Sequence, residues 1–187
     1  MQRNIIYVLI AFISLSGIKL SAQTPVHEKH KHFHEKENRG ILANHSERVK
    51  KLILNEEKIL RGFHFGAPID KIKSVEKIKL VTEGADFVIY QAQVGKNEFA
   101  DVIYYLDEKK NLKGFGLAFP VAGKREENAL FNELTHYFNE RYGKFIVNDK
   151  NDRVWVSREG NYSIEMGDST EEETEEIEIE IYPGVKI

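Results

Sequence analysis

Between Lys77 and Tyr182 the hydrophobic pattern changes period twice, and this change constrains the fold more than any other feature of the chain. The segments Lys77 to Thr82, Asp86 to Val94, Glu98 to Leu106 and Leu112 to Phe119 are rich in β-branched and aromatic residues. Short polar turns such as Glu83-Gly84 and Gly95-Lys96-Asn97 separate them, so each segment reads as a strand. Connections this short join antiparallel neighbours, because a parallel pair needs a long crossover. From Lys124 to Tyr142 the spacing becomes helical: Leu130, Leu134, Tyr137, Phe138 and Arg141 share one side, and Gly143 supplies a stop. Strand character returns near Phe145 to Asn148, Arg153 to Arg158, Tyr162 to Met166 and Glu176 to Tyr182. In the last of these, Ile177, Ile179 and Ile181 alternate with Glu178 and Glu180, which puts core on one face and solvent on the other. The expected fold class is α+β: an antiparallel sheet of two meanders split by one long helix, with helices packed on one face.

Upstream, good helix formers from Ser46 to Leu60 predict a first helix, entered through Asn44 or Ser46. Pro68 and Asp70 open a second, short one whose buried stripe is Ile69, Ile72 and Val75. A single domain over residues 41–187 is expected. Residues 23–40 are polar and charged, with too little apolar surface to offset ordering entropy, and are expected to form a disordered tail. Residues 1–22 read as a signal peptide: Arg3, an apolar run from Ile5 to Ile18, and Leu20-Ser21-Ala22 at the cleavage site. The run is shorter than the roughly 20 residues of a membrane-spanning helix, so no membrane insertion is expected after cleavage. With no cysteine in the chain, no lipid anchor at a lipoprotein cysteine, disulfide or thiolate chemistry is expected. The expected location is the bacterial periplasm or the exterior. Loss of the leader, which carries Arg3 and Lys19 and no acid, moves the formal charge from −3 to −5. That surface repels phosphate backbones, so nucleic acid is not an expected partner.

The phrase Gly62-Phe63-His64-Phe65-Gly66-Ala67-Pro68-Ile69, together with Arg141-Tyr142-Gly143-Lys144, resembles a pattern in small exported bacterial α+β proteins of unknown function. Over residues 60–182 the chain is also distantly similar to the helix-then-hairpin units of the outer-membrane assembly lipoprotein family and to β-lactamase-inhibitor-like domains. It lacks the lipoprotein cysteine and a second copy of the unit. The resemblance assigns no functional residue and implies binding rather than catalysis.

Four of seven histidines, His27, His30, His32 and His34, crowd into eight residues. Closely spaced imidazoles bind zinc, copper or nickel without a fold to position them. His136, near Glu133 and Glu140 on the long helix, is expected on a solvated face, and His64 between two phenylalanines is expected at the surface. The acidic run from Glu171 to Glu176 lacks the Asp and Gly pattern of a calcium loop and reads as a solvated loop. In the fourth strand Gly114, Gly116 and Ala118 share one face, leaving room for a ligand or a second backbone. Arg153, Trp155, Tyr104 and Tyr105 are the expected ligand or partner surface. Three functions follow: a non-enzymatic exported binding or accessory protein, a transition-metal scavenger working through the His tract, and a hydrolase assembled from distant residues. For the metal reading, replacing His27, His30, His32 and His34 together by Asn is expected to abolish tight zinc, copper and nickel binding in calorimetric titration. The melting temperature should stay unchanged.

Overall fold

A computed structural model describes residues 40–169 and 175–185. The leader, the His tract and residues 170–174 of the acidic run lie outside the described residues. Eight strands form one antiparallel sheet: β1 (Lys79–Glu83), β2 (Phe87–Gln93), β3 (Phe99–Leu106), β4 (Leu112–Val121), β5 (Ile146–Val147), β6 (Arg153–Val156), β7 (Tyr162–Ser169) and β8 (Glu175–Pro183). Their order across the sheet is β1-β2-β3-β4-β8-β7-β6-β5. Among the described residues three complete α-helices accompany them, α1 (Glu47–Ile53), α2 (Ile69–Val75) and α3 (Lys124–Tyr142), which makes the fold α+β. Among the described residues no helix is long and apolar enough to cross a membrane.

Strand register explains the core. Val88, Tyr104, Phe115, Ile181, Ile164 and Trp155 stand opposite one another in succession from β2 to β6. The next row is Tyr90, Val102, Leu117, Ile179 and Met166. Because side chains alternate with period two, a single register commits both rows to one face, and every residue in them is buried. Leu130, Leu134, Tyr137, Phe138 and Arg141 of α3 are buried as their helical spacing predicts. Each fully buried large apolar side chain contributes about 1.5–3 kcal/mol.

The first helix is shorter than expected, ending at Ile53 instead of Leu60. Leu54 takes positive φ (58°) and breaks the helical path. The carbonyls that would have continued the helix are used otherwise: Arg61 donates to Lys51 O at 2.9 Å and Leu52 O at 3.2 Å, and its amide donates to Ile53 O at 3.0 Å. Leu60 is buried through a bridge to Phe63, with no helical turn around it. In α2, Ile69 and Ile72 are buried as expected, whereas Val75 is 52% exposed at the end of the helix.

Arg61 itself is buried and engages Glu76 through two parallel bonds, Nε to Oε1 at 2.8 Å and a terminal nitrogen to Oε2 at 3.0 Å. Tyr104 donates its hydroxyl to the same carboxylate. Burial opposes the guanidinium charge, and the Glu76 bonds more than offset it, so the Arg61 pKa lies above its ordinary value. Glu76→Gln leaves a buried guanidinium without its counter-charge. It is expected to cost about 3–5 kcal/mol, read as a lower urea midpoint at unchanged slope.

Candidate functional site

The four residues expected to form a partner surface are not brought together. Trp155 is 1% exposed, packs on Phe138 and Phe145, and donates its indole N–H to Asn139 Oδ1 at 2.9 Å. Arg153 lies over the Phe131 and Phe145 rings and donates to Thr135. Tyr104 is buried beside Glu76. The physical reason is register: Trp155 stands opposite Ile164, and Ile164 opposite Ile181, so Trp155 belongs to the core row. Tyr105 alone of the four points to the other face of the sheet, with Phe87 and Gly114 as its cross-strand partners.

That other face has its own order. One row runs Phe87, Tyr105, Gly114, and, through β8, Tyr182 opposite Ser163. A second runs Ile89, Ile103, Gly116, Glu180, Glu165 and Val154. A third runs Gln91, Asp101, Ala118, Glu178 and Gly167, with Glu176 two residues along from Glu178. Phe87, Ile89, Ile103, Tyr105, Glu165, Glu176, Glu180 and Tyr182 are half-buried, and Glu178 is exposed.

The glycines of β4 make room for the chain's own rings. A Cβ on Gly114 would come within 2.8 Å of the Tyr182 ring, and one on Gly116 within 3.1 Å of the Tyr105 hydroxyl. Above them Tyr105 and Tyr182 stack, centroids 5.8 Å apart with planes 19° from parallel. Both hydroxyls turn toward Glu180 Oε1, at 3.1 Å from Tyr182 and 3.5 Å from Tyr105. Burial, then the Glu180 charge, raises the pKa of each phenol above its ordinary value. The pair therefore stays neutral and keeps its hydroxyls as donors.

Carboxylates crowd beside this pair. Glu180 and Glu165 stand directly opposite across β7 and β8, a like-charge pairing that destabilises a sheet. Burial is the first cause that lifts Glu176 above the usual carboxylate range, followed by Glu178 and Asp101. Glu165 is lifted likewise by burial and by its contact with Asp152, while Asn148 donates to it at 2.7 Å and Lys150 approaches to 3.9 Å. The face thus carries Asp101, Glu165, Glu176, Glu178 and Glu180, with Lys150 and Lys79 at its borders. No protein-family model matches the chain, and no curated protein or solved structure matches it.

The expected metal ligands His27, His30, His32 and His34 lie outside the described residues, and among the described residues no group of three or more His, Asp and Glu side chains is placed to hold a metal ion. His64 is exposed as expected, bonded to Phe65 O at 2.8 Å. On the α3 face expected to meet solvent, His136 and Glu140 are exposed and Glu133 is half-buried; the same face also receives the start of the described chain, with Glu140 binding His45 at 3.0 Å and Glu133 accepting from the Ser46 amide at 2.8 Å. Tyr182, Glu165 and Asp101 carried no signal of their own in the sequence. Alternation in β8 marked Glu178 and Glu180 as outward, but their neighbours depend on the pairing of distant strands.

Because Glu165 has its folded pKa raised, its contribution to stability is full below the ordinary carboxyl range and is lost as pH rises through the folded value. At neutral pH its charge is therefore a burden on the fold. Glu165→Gln is expected to raise the melting temperature at pH 7, and the gain should vanish in acid near pH 4, where the native carboxyl is already protonated.

Proposed function

We propose that this chain is a non-enzymatic, exported binding or accessory protein whose open sheet face holds a cationic segment of a partner. In this reading the sheet is two meanders joined along β4 and β8, and the helices cover only the core face. Contacts of Phe138 with Trp155, Phe63 with Tyr104 and Arg61 with Glu76 support that arrangement. The observation that carries the function is the alignment of five carboxylates beside a stacked tyrosine pair. Register holds these charges together against their own repulsion, and a bound cation relieves it. An extended peptide presents alternate side chains to the surface beneath it. Lysine or arginine at every second position would meet Glu178 and Glu180 while its aliphatic stem lies on Tyr105 and Tyr182. Export is supported by the leader-like residues 1–22.

A short peptide alternating lysine and serine tests the proposal, followed by amide chemical shifts in ¹⁵N spectra. Shifts are expected at Asp101, Tyr105, Glu178, Glu180 and Tyr182, and the affinity should fall steeply with added salt. The combined Glu176→Gln, Glu178→Gln and Glu180→Gln variant should lose binding by roughly threefold to a hundredfold, at about 0.2–1 kcal/mol for each exposed pair. Equal binding by the variant, or shifts confined to another surface, would overturn the reading.

A further inference from the structure

We draw no further inference here: the strongest candidate, the edge strand β1 with Leu80 and Val81 each 47% exposed, has nothing in the structure to show what covers it, and its Lys79 and the bulge between Leu80 and Thr82 already guard that edge against pairing.

Discussion

Two buried guanidiniums hold together the part of the molecule that regular secondary structure does not. Arg61 joins the C-terminal carbonyls of α1 to Glu76 at the end of α2, and Tyr104 of β3 completes the cluster. Arg141 of α3 does the same for the following loop, donating to Glu56 O at 2.9 Å and Lys58 O at 2.6 Å, with the Tyr137 hydroxyl at 2.6 Å. Between them these side chains supply donors to carbonyls at the end of α1 and in the loop that follows it. A planar fork with five donors suits this work, since it reaches two carbonyls and both oxygens of a carboxylate together, whereas lysine offers three donors from a single nitrogen. With that loop secured, Leu60 and Phe63 close the core over Tyr104, and the sheet can take one identity per face.

Local pattern carried much of this fold. The helical stripe of α3 and the alternation in β8 predicted burial residue by residue, and the buried Phe115, Leu117 and Phe119 matched the β4 pattern. What local pattern lacked was information about partners. In β6 both Val154 and Trp155 are buried, so alternation left two choices, and pairing with Ile164 decides between them. The Leu54 to Leu60 segment has helix-forming composition, yet the bonds that end α1 come from Arg61, and those that hold the loop after it come from Arg141, more than eighty positions away along the chain. Of the candidate site, only the outward glutamates of β8 and Tyr105 were legible. Tyr182 and Glu165 join them through strand pairings that bring together positions such as Tyr105 and Glu180, far apart in sequence.

The open face runs against the economy of the core face. A sheet built for stability alone would not set Glu165 opposite Glu180 or place Glu176 within reach of both Glu178 and Asp101. A protein tolerates such repulsion because the opposite face supplies ample burial. The tyrosine pair fits the same account. Its rings cover the glycine floor of β4 while the hydroxyls address the carboxylate, so the chain's own side chains order this face.

The strand order also dictates a sequence of events in time. β8 is the last of the described strands in sequence, yet it sits in the middle of the sheet, between β4 and β7. Until it emerges, β1 to β4 and β5 to β7 are two fragments, each ending in an unpaired apolar strand. Pairing of Phe115 with Ile181 and Leu117 with Ile179 then closes both at once. Contacts so distant along the chain form slowly, because a long loop must be closed before they stabilise anything. A polypeptide arranged this way completes its sheet only once β8 is available to join the two fragments.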